Sequence, residues 1–173
     1  MKIIFLDIEG VLNTESTYKQ VNEYGIYIDE FRIAYLKQIV EQTGAKIVLC
    51  SSFRMHFKKE DGKIIANNNM GLALEKMFKK YGLKIYDITM RNSNLIREGQ
   101  INVWLAKHEV ENFIVIDDEP YNYKEFLRDN FIKTSIINDD EVLKNPNDCI
   151  GLSEQHIGES VKKLNKKLVK NCQ

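Results

Sequence analysis

KIIFLDIEG, residues 2–10, decides how the chain is read. Residues 2–6 form an apolar run, and two acids, Asp7 and Glu9, arrive where it stops, just before Gly10. A run apolar on both faces belongs to a strand covered on both sides, as in a parallel sheet. Two carboxylates that close repel each other, so the spacing calls for a compensating charge.

The same pattern recurs downstream. AKIVLC (45–50) runs into Ser51 and Ser52, and NFIVI (112–116) ends in Asp117 and Asp118. LKIYDI (83–88) and FIKTSII (131–137) read as further strands. Helical spacing lies between them. Asp29 is a candidate cap for a helix with Leu36, Ile39, Val40 and Thr43, and Gly44 is its stop. LALEKMFKKYG places Leu74, Met77, Phe78 and Tyr81 on one face before Gly82. GQINVWLAKH (99–108) carries Ile101, Trp104 and Leu105. Pro120 favours a helix start, with YNYKEFLRDN as that helix. A final basic helix has Val161, Leu164 and Leu168 as its apolar stripe. Polar stretches around Lys58–Asn69 and Asn145–Asp148 read as loops. Strands alternating with helices predict an α/β fold: a three-layer α/β/α, Rossmann-like parallel sheet. With no internal repeat, low-complexity segment or linker, residues 1–173 are expected to form a single domain without a large cap.

The chain has 173 residues, 43% hydrophobic and 29% charged, which is enough to bury a core. Lys+Arg and Asp+Glu both number 25, so the charge balance argues against a general nucleic-acid-coating protein while leaving room for a local basic groove. No export signal precedes the first strand, and no stretch approaches the roughly 18 apolar residues of a membrane span. Three cysteines, Cys50, Cys149 and Cys172, are read as reduced thiols. The expected compartment is therefore the cytoplasm, with no membrane association and no obligate protein partner.

In open parallel α/β sheets, ligands sit beyond the carboxyl ends of the strands. Three strands here deliver polar groups to that edge: Asp7 and Glu9, Ser51 and Ser52, Asp117 and Asp118. Four carboxylates gathered there cannot all stay ionised without a cation. An all-oxygen set without His or Cys favours a hard ion, Mg²⁺ above others. Any one acidic pair at a strand end is most simply a solvated loop; the joint occurrence at three strand ends is what carries the inference.

These stretches together resemble the haloacid dehalogenase-like superfamily. FLDIEGVLN is similar to its first motif, IVLCSSFR to its second, IREGQINVWL to its third and FIVIDDE to its fourth, in that order across residues 3 to 119. GLSEQH (151–156) is similar to a branch associated with RNA repair and polynucleotide 3′-phosphatases. The resemblance implies that Asp7 is a nucleophile forming an aspartyl-phosphate. Glu9 stands where the family usually has a second Asp, and would act as general acid and base. Asp7, Glu9 through its backbone carbonyl, Asp117 and Asp118 would hold or anchor Mg²⁺. Ser51 would bind a phosphate oxygen, with Ser52 as the alternative. Arg97 resembles the phosphate-holding cation, with Arg91 as competitor, and Arg54 is a candidate to grip a second phosphate or a substrate backbone. Glu9 is the departure from the family: one extra methylene in a site where small displacements matter.

Other signals are weaker. Cys50 and Arg54 are too close for the loop of a cysteine-dependent phosphatase, so Cys50 reads as a core thiol. His56, His108 and His156 show no paired ligand spacing, and Trp104 falls on an apolar helix face. The lysines of VKKLNKKLVK (161–170) read as a solvated face, the sharper alternative being a guide for a polyanion. The expected activity is thus a Mg²⁺-dependent phosphomonoester hydrolase, acting on a small phosphorylated molecule or a nucleic-acid end. The alternative is a phosphate-binding or regulatory domain that has lost turnover, motivated by Glu9. A dehalogenase ranks last, because that chemistry needs no metal and leaves Asp117–Asp118 unexplained.

Overall fold

A computed structural model describes residues 1–14, 17, 21–92, 94–119, 128–134 and 151–166. Five parallel strands form the main sheet: β1 (Lys2–Leu6), β2 (Lys46–Leu49), β5 (Ile85–Ile88), β6 (Asn112–Asp117) and β7 (Phe131–Lys133). Their order is β5-β2-β1-β6-β7. The chain therefore steps outward from β1 through β2 to β5, then returns to the other side of β1 for β6 and β7. β1 and β6 flank the point where the order reverses, which is where open α/β sheets place their ligands.

The helices are α1 (Glu30–Thr43), α2 (Asn69–Lys80), α3 (Arg97–Leu105) and α4 (Gln155–Asn165). The apolar runs of the strands split between two faces with period two. Ile4, Leu6, Ile47, Leu49, Ile114 and Ile116 pack with α1, α2 and α4 residues such as Leu36, Leu74 and Leu164. Ile3, Phe5, Val48, Cys50 and Val115 pack on the opposite face against Ile101 and Trp104 of α3. Burial on both faces is why these strands carry no polar alternation, and it makes the expected three-layer α/β/α architecture. Among the described residues there is no cap domain, and no helix is long and apolar enough to cross a membrane.

The elements differ from expectation in four places. The stretch read as a polar loop around Lys58–Asn69 contains an antiparallel hairpin, β3 (Phe57–Glu60) and β4 (Lys63–Ala66), and the start of α2. Its turn is Asp61–Gly62, both at positive φ (49° and 75°), the conformation that a two-residue hairpin turn needs. The strands looked like loop because most of their side chains face solvent. α3 begins at Arg97, two residues before the expected start, and ends at Leu105. Asp29 occupies the cap position of α1 but makes no capping hydrogen bond. Its carboxylate instead accepts from Thr17 Oγ1 (2.8 Å) and Arg32 Nε (2.8 Å). The strand expected over 131–137 is described only through Lys133. Most of the helix expected after Pro120, the loop at Asn145–Asp148, Cys149, Cys172 and Leu168 lie outside the described residues.

Candidate active site

The parallel pairing of β1 and β6 builds the site. Leu6 lies opposite Ile116 in the register, and Asp7 N donates to Ile116 O at 3.0 Å. Asp7 thus leaves β1 where Asp117 closes β6. One carboxylate oxygen from each of Asp7, Asp117 and Asp118 falls within 4.8 Å of the others. Asp7 is 2% exposed and Asp117 fully buried, while Asp118 is half-buried.

The loop after β1 is shaped to admit this group. Gly10 has φ +69°, and a Cβ built there would sit 2.8 Å from Asp118 Cβ, so a larger residue would displace that acid. Gly10 N donates to Asn13 Oδ1 (3.0 Å), and Thr134 Oγ1 donates to Gly10 O (2.8 Å). Thr134 N in turn donates to Asp117 O at 3.0 Å, so the first residue after β7 ties the two acidic loops together. Glu119 N donates to Asp117 Oδ1 (2.9 Å).

Arg97 stands over the carboxylates from the first turn of α3. Its Nη1 donates to Asp117 Oδ2 and lies 3.2 Å from Asp7 Oδ2. Among the described residues, the other Asp7 oxygen, Oδ1, is buried without a hydrogen-bond partner. Burial pushes the Asp7 carboxyl well above the usual carboxylate range; Arg97 opposes this, while Asp117, Glu9 and Asp118 add to it. Asp118 is pushed up to about 6 by burial and by Asp117. The fold therefore collects more negative charge than one arginine can offset and leaves a buried oxygen without a partner. Three carboxylates with no imidazole among them fit a hard divalent cation. The nearby Cys50 thiol is held protonated, because burial and then Asp7 push its pKa up.

Glu9, expected to hold the metal through its backbone carbonyl, has its side-chain carboxylate outside the three-acid cluster. The loop turns sharply after Asp7, with Ile8 O accepting from both Val11 N and Leu12 N, and Glu9 Oε1 accepts from Ser52 Oγ at 3.1 Å. Ser52 is exposed, whereas Ser51 is fully buried. Ser51 Oγ accepts from Phe53 N (2.9 Å), capping a short 3-10 turn over Ser52–His56 and leaving its own proton to give. Arg54, expected to grip substrate, is used on the protein itself. Its Nη1 donates to Cys50 O and to Ser51 O (2.6 Å), and its Nη2 donates to Gln100 Oε1 (2.7 Å). Arg91 is exposed in the loop before α3 and makes neither of the contacts that Arg97 makes.

Gln100 is the residue that sequence reasoning missed. Buried in α3, it accepts from Arg54 and donates through Nε2 to Asn92 O (3.1 Å) and Leu95 O (2.8 Å). One amide therefore braces the loop after β2 against the loop that delivers Arg97. A glutamine one turn into an amphipathic helix carries no sequence signal for such a role.

Residues 3–139 match the model of a family described as the HAD domain in Swiss Army Knife RNA repair proteins. No curated protein and no solved structure matches the chain.

Proposed function

Because the chain belongs to the family of HAD domains found in Swiss Army Knife RNA repair proteins, we propose that it is a Mg²⁺-dependent phosphomonoester hydrolase working through an aspartyl-phosphate on Asp7. The observation that carries this is the buried, unpartnered Oδ1 of Asp7 inside a three-carboxylate group served by one arginine. Asp7, Asp117 and Asp118 would hold Mg²⁺, which when bound neutralises phosphate charge. Asp7 attacks phosphorus and the bond from phosphorus to the ester oxygen breaks. Glu9 gives a proton to that leaving oxygen, then takes one from the water that releases phosphate and regenerates the Asp7 carboxylate. Ser51 donates its free proton to a phosphate oxygen, and Arg97 keeps the nucleophile oriented. Arg54 acts behind the site by fixing the Ser51 carbonyl.

Among the described residues the site has no cap, which suits a bulky phosphate ester, and from a family description that names RNA repair we infer the end of an RNA strand as the substrate. One observation favours a second reading, a phosphate-binding domain without turnover: Glu9 is longer than the usual Asp and is engaged by Ser52.

The deciding experiment is release of p-nitrophenol from its phosphate ester, in Mg²⁺ and in EDTA, by the wild type and Asp7→Asn. The hydrolase releases it only with Mg²⁺ and with Asp7 present. Wild type that stays at the level of the variant, across several phosphate esters, leaves the binding domain.

A further inference from the structure

A cavity of about 420 Å³ opens on the flank of α3, between that helix and the edge strand β5. Its basic lining is Lys59, Arg91, Lys107 and His108; Ile88, Met90 and Val103 supply apolar wall. One acid, Asp87, faces it, and that acid is saturated. Its oxygens accept both contacts of Lys59 Nζ (3.0 and 3.0 Å), Trp104 Nε1 (3.0 Å) and Ile88 N (2.9 Å). With Lys59 offsetting Asp87, the cavity keeps the charges of Arg91 and Lys107. Both are exposed, and neither has an ion-pair partner among the described residues. A cation would be repelled here, and an anion attracted.

The cavity lies toward the same carboxyl edge of the sheet as the candidate active site: Thr89, in its lining, donates through N to Leu49 O at the end of β2 (2.9 Å). Arg91 follows the carboxyl end of β5, and its neighbour Asn92 accepts through O from Gln100 Nε2 (3.1 Å), the amide that also accepts from Arg54 Nη2 (2.7 Å). Arg54 is hydrogen-bonded to the carbonyl of Ser51. Gln100 therefore links the Ser51 loop, through Arg54, to the loop that carries Arg91 into the cavity lining. A second basic cavity, with Lys46, Lys79 and Lys84, lies at the amino ends of β2 and β5, the opposite edge of the sheet.

We propose that the cavity beside α3 is a subsite for a second phosphate group of an oligonucleotide whose terminal phosphate lies at Asp7. The subsite rests on the phosphatase assignment for its first phosphate, but its binding can be read without any bond being broken. Ile88, Met90 and Val103 supply apolar surface in the same cavity for a base or sugar of that strand.

The test is fluorescence anisotropy of a labelled 3′-phosphorylated oligoribonucleotide, in EDTA, over a range of salt concentrations. The R91Q/K107Q double variant is expected to bind about tenfold more weakly than wild type. Its salt dependence should be shallower by about 0.7 in the log–log slope for each lost phosphate contact. K79Q/K84Q, which alters the remote basic cavity, is expected to match wild type. Equal affinity of wild type and R91Q/K107Q overturns the subsite, and so does equal weakening in both double variants, which would mean general charge attraction. Because turnover is not measured, an inactive protein that still shows the R91Q/K107Q loss would overturn the phosphatase assignment and leave the subsite standing.

Discussion

Arg97 Nη1 lies 3.2 Å from Asp7 Oδ2 while donating to Asp117 Oδ2, so one guanidinium joins the acids at the ends of two neighbouring strands. Replacing it with Met leaves both carboxylates buried without their shared cation. Arg97→Met should lower kcat by about a hundredfold or more, the scale of losing an aligned electrostatic contact. Arg97→Lys should recover part of this, since a point charge replaces the fork. Steady-state kinetics on p-nitrophenyl phosphate check both; an unchanged kcat in Arg97→Met contradicts the role.

Gly10 predicts a packing effect. Gly10→Ala puts a methyl at positive φ and against Asp118. It should cost about 1–3 kcal/mol of stability and weaken Mg²⁺ binding. Thermal melting and calorimetric titration with Mg²⁺ measure the two; a variant with wild-type Mg²⁺ affinity would show that Asp118 is not positioned by this contact.

The acidic cluster predicts how stability follows pH. Asp118 is raised from 3.8 to about 6, so between those values the folded protein binds more protons than the unfolded chain. Metal-free stability owed to this group therefore falls as pH rises through that window. His156 works in the other sense: burial lowers its pKa, and stability is lost as pH falls below its ordinary 6.5. Because His156 is common to both proteins, comparing wild type with Asp118→Asn isolates the acid. Melting in EDTA from pH 4 to 7 should show the gap between the proteins move in favour of Asp118→Asn as pH rises. Saturating Mg²⁺ should reverse that movement in wild type alone. A gap that is independent of pH would contradict the assignment.

Gln100 offers a test of bracing at a distance from the chemistry. Gln100→Leu strips partners from Arg54 Nη2, Asn92 O and Leu95 O. Each buried group left unpaired costs about 1–3 kcal/mol. Because both the Ser51 loop and the Arg97 loop loosen, KM should rise along with the loss of melting temperature. Gln100→Glu, which keeps the acceptor for Arg54, should lose less than Gln100→Leu. Equal KM values in wild type and Gln100→Leu would reduce Gln100 to a stability residue.

Much of this site could be seen in the sequence because β1, β2 and β6 are apolar on both faces and end abruptly. A run such as NFIVI followed by Asp117–Asp118 marks both a central parallel strand and the edge where ligands bind. What could not be seen depended on side-chain direction. Ser51 and Ser52 are equivalent in sequence, yet one is buried and caps a 3-10 turn while the other reaches Glu9. Arg54 looks like a substrate contact because it follows the second motif, and only the fold shows its donors turned inward onto Cys50, Ser51 and Gln100. The β3–β4 hairpin was hidden by its solvated residues, although Asp61–Gly62 carried its turn signal.

The most direct measurement is the covalent state of Asp7 during turnover. Glu9→Gln protein, slowed in the hydrolytic half by loss of its base, is mixed with p-nitrophenyl phosphate and Mg²⁺, quenched in acid and mapped by mass spectrometry. The account predicts one phosphoryl group, carried on Asp7 and absent when EDTA replaces Mg²⁺. Wild type that releases p-nitrophenol, while the trapped protein carries phosphate on another residue or on none, would contradict it.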